Sequence, residues 1–326
     1  MRAAGVFAAL ASAGNAVLAQ APARDAAQTY PSRPIRWIVP FPPGGAADIV
    51  SRAIGQKLGE RWGQQIVIDN RPGAGGSLGT EIAARATPDG YTVIVVPATF
   101  TTYPSLYRKL AYDPVRDFAP VTLVSSSALI LVVHPAVAAK SVHELIALAK
   151  ARPGQLNYAS SGIGASAHLA AELFKSMVGV SIVHVPYKGQ PPAMIDLISG
   201  QIHMMFPNVP VALPHVKAGK LRALAVTTLK RAASLPELPT MADSGLAGFE
   251  VNQWTGLVAP AGAPKSIIAK LHGEVVRALQ QPDVHRTLSN HGFEPVGNTP
   301  QEFAAYIKAE IAKWGKVIKE AGIRAE

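Results

Sequence analysis

One stretch constrains the fold more than any other: Ile35-Arg36-Trp37-Ile38-Val39, followed by Pro40-Phe41-Pro42-Pro43-Gly44-Gly45-Ala46-Ala47-Asp48. The first five residues, rich in β-branched and aromatic side chains, read as a buried strand. Residues 40–45 can neither continue a strand nor begin a regular helix, because proline lacks the ladder N–H and fixes φ. Ile49, Ala53, Ile54, Leu58 and Trp62 then recur near a 3.6-residue period, which predicts a helix over 46–62. A strand, a glycine-rich turn and a helix start aim free backbone N–H groups at one spot. The partial positive charge of the helix start makes an anion the natural guest there.

The same alternation continues. Residues 66–69 read as a strand, 70–77 (Asn-Arg-Pro-Gly-Ala-Gly-Gly-Ser) as a second glycine-rich turn, 78–86 as a helix and 92–96 as a third strand. This βαβαβ order predicts a mainly parallel sheet with ligand loops at its carboxyl ends. Residues 121–124 and 129–133 read as strands that leave it. A second α/β run follows: a helix over 142–151, a strand over 156–159, a third small-residue turn over 160–166 and a helix over 168–179. Strands over 182–185, 202–206 and 221–227 alternate with helices over 192–199 and 209–218. An irregular segment over 229–256 leads to a strand over 257–259 and helices over 266–280, 282–291 and 300–321. The second unit is thus inserted in the first. Lobe 1 is expected over 30–123 and 228–326, and lobe 2 over 124–227. The lobes hinge on two crossings near Val124 and Thr227, with the ligand between them.

The chain has 326 residues and no cysteine, which excludes disulfides, a catalytic thiol and a lipid-anchor cysteine. Met1-Arg2 and the alanine-rich run that follows read as a secretory signal peptide over 1–21, cleaved between Ala19 and Ala23. The mature chain is then expected to be soluble in the periplasm. The formal charge is +10, but the lysines and arginines are scattered rather than interleaved with aromatics. A solvated basic surface, not nucleic acid, is the expectation.

Several motifs match patterns that carry chemistry in other proteins. Gly75-Gly76-Ser77-Leu78-Gly79 matches the G-x-S-x-G nucleophile elbow, and a serine hydrolase using Ser77 is the alternative function it raises; yet residues 70–74 separate Ser77 from its strand. Gly162-Ile163-Gly164-Ala165-Ser166-Ala167 matches a loose dinucleotide fingerprint, but the next strand ends in His184-Val185-Pro186-Tyr187-Lys188 with no acid. No cofactor is expected. The histidines form no H-E-x-x-H, and the His168/Glu172 pair at i and i+4 reads as a helix-face pair, so no metal is expected. Asp48 suits either the helix start or the ligand. Trp254, beside Gln253, either covers a pocket or plugs the lobe, and Phe41, Phe100, Tyr103, Tyr187 and Phe206 raise the same choice.

Together, 40–48 (Pro-Phe-Pro-Pro-Gly-Gly-Ala-Ala-Asp), 70–76 (Asn-Arg-Pro-Gly-Ala-Gly-Gly), Pro88-Asp89-Gly90-Tyr91, Val185-Pro186-Tyr187-Lys188-Gly189 and Ala259-Pro260-Ala261-Gly262 resemble the Bug family. These are periplasmic solute-binding receptors of tripartite tricarboxylate transporters. The resemblance runs from about Tyr30 to Glu326 and implies a two-lobed type II periplasmic-binding-protein fold. It implies that one carboxylate is held, partly through water, by Phe41, Gly45, Ala46, Ala47, Asp48, Ala74, Gly75, Gly76 and Ser77. The second lobe reads the rest of the ligand through Ser160, Ser161, Gly164, Ala165, Ser166 and His168, and Tyr187 and Asn208 complete the candidate set. The implied partners are the transporter's membrane subunits or a sensor protein, with the receptor itself a monomer that has no chemistry of its own. Where the family often carries threonine, threonine and aspartate, this chain has Ala47, Ala165 and Pro207. A cleft short of polar side chains predicts a monocarboxylate with an apolar or aromatic body in preference to citrate.

Overall fold

The computed structural model describes residues 29–232 and 235–324; the expected signal peptide lies outside the described residues. The opening stretch forms β1 (Ile35–Val39) and α1 (Ala46–Trp62), followed by β2 (Ile66–Asn70), α2 (Ser77–Ala84) and β3 (Thr92–Pro97). β1 lies between β2 and β3 and runs parallel to both. Its Trp37, Ile38 and Val39 are fully buried, and α1 packs Val50, Ile54 and Leu58 onto the sheet. That is the apolar stripe the 3.6-residue period predicts. After a short 3₁₀ turn at Ala98–Thr101 come the one-turn α3 (Tyr103–Leu106) and the long β4 (Phe118–Ala128).

The chain then crosses to a second sheet through β5 (Ile130–Val133), α4 (Val142–Ala151), β6 (Asn157–Ser160), α5 (Ser166–Val178), β7 (Val183–Pro186), α6 (Gln190–Ile198), β8 (Met204–Met205), α7 (Val209–Lys217) and β9 (Arg222–Val226). It returns by β10 (Asn252–Pro260), α8 (Lys265–Leu279), α9 (Pro282–Asn290), β11 (Glu294–Pro295) and α10 (Pro300–Glu320). The sheet orders are β11-β4-β10-β3-β1-β2 and β7-β6-β8-β5-β9. Parallel pairing is confined to β1–β3 and β6–β8. The strands that pass between the lobes pair antiparallel, β10 with β3 and β4, and β5 with β8 and β9. The sheets are therefore more mixed than the βαβ alternation alone suggests, because a strand crossing from one lobe to the other reverses direction against its neighbours.

The crossings fall elsewhere than at the expected Val124 and Thr227. β4 stays in the first sheet through Ala128, so the first crossing is Leu129. The returning segment does not rejoin lobe 1 at 228. Thr240 bridges Val226 at the edge of the second sheet, and Ala232, Leu235 and Leu238 pack with Ile130, Val132 and Met205. Lobe 1 resumes only near Val251. Fully buried Thr227 ties these passages together. Its hydroxyl donates to the Val251 carbonyl at 2.6 Å and accepts from the Leu129 N–H at 3.0 Å. Its own N–H donates to the Leu129 carbonyl at 3.0 Å, and the Val251 N–H donates to the Thr227 carbonyl at 3.0 Å. α10 opens with a capping box of Thr299 and Glu302 and packs on α3 of lobe 1 and α5 of lobe 2.

Replacing Thr227 by valine keeps the shape and leaves the buried Leu129 N–H and Val251 carbonyl short of a partner. Chemical denaturation of Thr227→Val is expected to show a loss of about 1–3 kcal/mol. A loss below about 0.5 kcal/mol would show that this hydroxyl does not secure the crossing.

Candidate functional site

A cavity of about 830 Å³ lies between the lobes. Lobe 1 supplies the loop after β1 (Phe41 to Gly45), Ala47, Gly75, the turn after β3 (Pro97, Ala98, Thr99) and Tyr103, Leu106 and Tyr107 on and beside α3. Lobe 2 supplies the loop after β6 (Ser161 to Ala167), Gln190 and Asn208. Leu129, Gln253, Trp254 and Thr255 form its floor at the crossing strands, with Phe293 close by. Among the described residues that line it, none carries a charge.

Two helices begin at the cavity without a side-chain cap. The first bond inside α1 runs from Ile49 N–H to Gly45 carbonyl, and the first inside α5 from Leu169 N–H to Ala165 carbonyl, both 3.0 Å. Neither N-cap residue, Gly45 or Ala165, makes a side-chain cap. First-turn amides of both helices therefore have no acceptor within their own helix or cap. A helix start favours an anion by about 0.3–1 kcal/mol when exposed and up to ~2 kcal/mol when partly buried, and N–H bonds to a carboxylate are charge-assisted. With no lysine or arginine among the described lining residues, the cleft offers an anion these amides together with neutral side-chain donors such as Ser166 and Gln190.

Both loops are fixed from behind in the same way, by a side chain inside the helix reaching back four residues to a glycine N–H. In lobe 1, Asp48 accepts from Gly44 N–H at 2.9 Å, from Arg52 Nε at 2.8 Å and from Asn70 Nδ2 at 3.0 Å. Asn70 Nδ2 also donates to the Phe41 carbonyl at 3.0 Å. Burial alone would raise the Asp48 carboxyl, but the bonds from Arg52, Gly44 and Asn70 outweigh it and hold it below the usual carboxylate range. In lobe 2, His168 Nδ1 accepts from Gly164 N–H at 3.0 Å, which places the imidazole proton on Nε2. His168 stacks on His184 at 4.0 Å, and His184 on Tyr158 at 4.7 Å. His184 Nε2 bonds Ser160 Oγ at 2.7 Å, and that oxygen accepts from Gly162 N–H at 3.2 Å. Glu172 closes the cluster, accepting from the Tyr158 hydroxyl at 2.5 Å and from Lys175 at 2.6 Å. Burial, followed by the neighbouring His184, lowers the His168 pKa to about 4, so the ring is neutral at pH 7.

Of the residues singled out from the sequence, Phe41, Gly45, Ala47, Gly75, Ser161, Gly164, Ala165, Ser166 and Asn208 line the cavity. Asp48, Ser160 and His168 are buried behind the lining and hold it. Ala46 opens α1. Ala74, Gly76 and Ser77 form the turn around Gly75. Gly76 has φ +108°, and a Cβ there would come within 3.2 Å of Phe41 Cζ, so glycine lets the Phe41 ring seat. Ser77 makes no hydrogen bond to a histidine among the described residues. Tyr187 is not among the cavity's lining residues, and its hydroxyl donates to Asp196 at 2.6 Å. In the wall formed by residues 97–107 the sequence raises only Phe100 and Tyr103, as aromatics that cover a pocket or plug a lobe; Tyr103 lines the cavity. There Leu106 crosses to lobe 2: a Cβ at Gly164, whose φ is +76°, would come within 2.7 Å of Leu106 Cδ1. The sequence expectation about a second carboxylate counted only side chains. Pro207 does not line the cavity, and the lobe 2 wall carries Ser161, Ser166, Gln190 and Asn208 beside the uncapped start of α5.

Two α/β lobes around an uncharged cleft, with uncapped helix starts in facing walls, define a solute-binding protein for an anion. The chain belongs to the tripartite tricarboxylate transporter family receptors, TctC, whose family model matches residues 50–323. It is 40% identical over 297 residues to the UPF0065 protein in the tcbD-tcbE intergenic region of Pseudomonas sp. strain P51, covering 91% of this chain and 88% of that protein. It is 38% identical to protein BugT of Bordetella pertussis over 91% of this chain and 92% of that one. Among solved structures, R. palustris Rpa4515 with adipate is 40% identical, with a TM-score of 0.76 and coverage of 90% and 99%. MatC from Rhodopseudomonas palustris with bound malate is 35% identical, with a TM-score of 0.72 and coverage of 89% and 100%. The chain is thus a receptor of this transporter family, a periplasmic solute-binding protein rather than an enzyme. Among the described residues, no helix is long and apolar enough to cross a membrane.

The neutral, buried His168 makes stability depend on pH. Its folded pKa, about 4, lies below the ordinary value near 6.5, so below pH 6.5 the unfolded chain takes up the proton first. Stability is then level above about pH 7 and falls as pH drops toward 4, by up to about 1.4 kcal/mol per pH unit for each such proton. His184 is shifted in the same direction by its burial and adds to the slope. Urea denaturation at pH 7, 6 and 5 is expected to show this fall, with a slope shallower by about one proton in His168→Gln. An equal slope in the variant would contradict the assignment.

Proposed function

We propose that the chain captures a carboxylate with an apolar body between its lobes and presents it to the membrane subunits of a tripartite transporter. One carboxylate sits at the start of α1, against the amides of Ala47 and Asp48 with Gly75 beside it. The body lies among Phe41, Leu106, Leu129 and Trp254, and a second anionic end, where the ligand has one, meets the start of α5 at Ser166 and Ala167. The observation that carries this reading is the pairing of two uncapped helix starts with a cavity wall free of charged side chains. The adipate found in a 40%-identical relative, two carboxylates separated by methylenes, agrees with it. The protein works as a soluble periplasmic monomer after signal-peptide cleavage and has no nucleic-acid partner. Lobe closure about Leu129 and Val251 is the motion that a partner subunit reads. A sensor protein reading the same closure is the second form of partnership.

Calorimetry on refolded, ligand-free protein with adipate, benzoate and citrate tests this. Adipate or benzoate is expected to bind at least tenfold more tightly than citrate. Ala47→Asp places a like charge at the start of α1 and is expected to weaken adipate and benzoate alike by roughly tenfold or more. Ala165→Asp caps α5 and is expected to weaken adipate more than benzoate. Tightest binding by citrate would overturn the apolar-body reading, and unchanged affinities in Ala47→Asp would remove the α1 anion site.

A further inference from the structure

The facing walls of the cleft touch where Leu106, the last residue of α3 in lobe 1, meets Gly164 in the loop before α5 in lobe 2. Both residues line the cavity. A Cβ built at Gly164 would lie 2.7 Å from Leu106 Cδ1, 3.6 Å from Cδ2 and 3.8 Å from Cγ. The branched end of the side chain, rather than a single methyl, therefore rests on the glycine. Leu106 is 5% exposed, and α10 packs on both α3 and α5, so the two elements that meet here are backed by one helix.

Each side of this contact is tied to one of the two anion sites proposed above. On the lobe 1 side, Tyr103, one turn earlier in α3, donates its hydroxyl to the Gly75 carbonyl. On the lobe 2 side, Gly164 N–H donates to His168 Nδ1 inside α5 at 3.0 Å, and Ala165 N–H donates to the Gly162 carbonyl at 3.3 Å. A chain of direct contacts thus runs from Gly75 through Tyr103, Leu106 and Gly164 to α5. Carbon atoms in contact stand about 3.5–4.0 Å apart, so a Cβ at Gly164 would push the two sides about 1 Å further apart. That is close to the length one methylene adds to an extended chain. N–H···O bonds span about 2.7–3.2 Å, so a ligand bonded to both helix starts cannot absorb such a change without losing one end. Building on the two-ended carboxylate reading above, we propose that Leu106 and Gly164 are the specificity-determining pair of this receptor. Their contact sets the gap between the starts of α1 and α5, and with it the chain length of the preferred dicarboxylate.

Calorimetry on refolded, ligand-free protein tests this, using the straight-chain dicarboxylates from glutarate to azelate and hexanoate as a one-ended control. In the wild type, affinity is expected to peak at one chain length, roughly tenfold above hexanoate. Two wedges are expected to move the peak to a longer acid: Gly164→Ala, and Leu106→Phe, which leaves the glycine turn intact. In each, the affinity of the next longer acid relative to the wild-type optimum is expected to rise roughly tenfold. Adding Leu106→Val to Gly164→Ala is expected to return the peak toward the wild-type length, although the strain of alanine at a φ of +76° remains. An unmoved peak in both wedges, each checked for a cooperative thermal transition, would overturn the role of this pair while leaving the carboxylate receptor standing. A peak that Leu106→Val does not move back would overturn the direct contact as its cause. Hexanoate binding as tightly as every dicarboxylate would overturn the pair's role together with the second anion site, and binding by none of these acids would overturn it together with the carboxylate reading.

Discussion

An anion in this cleft has to be held without a cation. Among the described residues the lining carries no charged side chain, so in the proposed reading stabilisation falls largely to oriented backbone N–H groups, which work only when the backbone is fixed in advance. Much of the surrounding structure serves that need. Asp48 and His168 perform the same task in the two lobes, each accepting from a glycine N–H four residues back. One does so as a carboxylate neutralised by Arg52, the other as a neutral imidazole stacked on His184. Both are buried behind the loops they hold. A mobile loop with the same amides would spend part of any binding energy on ordering itself.

The two loops also have to reach the ligand together, which depends on how the lobes are joined. Thr227 sits at the node, bonded through side chain and backbone to Leu129 and Val251. The proposed lobe motion would turn on these passages, around Leu129 and Val251. Leu106 against Gly164 adds an apolar contact across the cleft, and α10 packs on both lobes. Leu106, Tyr103 and Trp254 are already buried, so apolar surface on a bound ligand packs against a prepared apolar lining and adds to the driving force.

Local pattern made much of the fold legible. β1, α1, β2 and α2 are where the residue periods and glycine-rich turns place them, because each element's burial matches its own sequence. The crossings were less legible. Val124 reads as a departing strand, yet β4 continues to Ala128 because β10, far along the chain, pairs with it. Residues 229–250 are irregular in sequence, and only packing against Ile130 and Met205 fixes them to lobe 2. At the site, turn chemistry identified the loops of Gly45 and Gly164, since free amides at helix starts are local features. It did not separate Ala47, which lines the cavity, from Asp48, which stands behind it, because a helix turns neighbouring residues to different sides. The wall at Tyr103 and Leu106 and the floor at Gln253 have no local signature. They belong to the site only through tertiary packing.

The central claim is that first-turn amides of α1 and α5, in facing lobes, hold the anionic ligand. Titration of ¹⁵N-labelled, ligand-free protein with adipate, followed by amide chemical shifts, tests it most directly. The account predicts that the amides of Ala47, Asp48, Ser166 and Ala167 undergo large, saturable downfield shifts with a common dissociation constant. Saturable binding that leaves these four amides in place and moves others would contradict it.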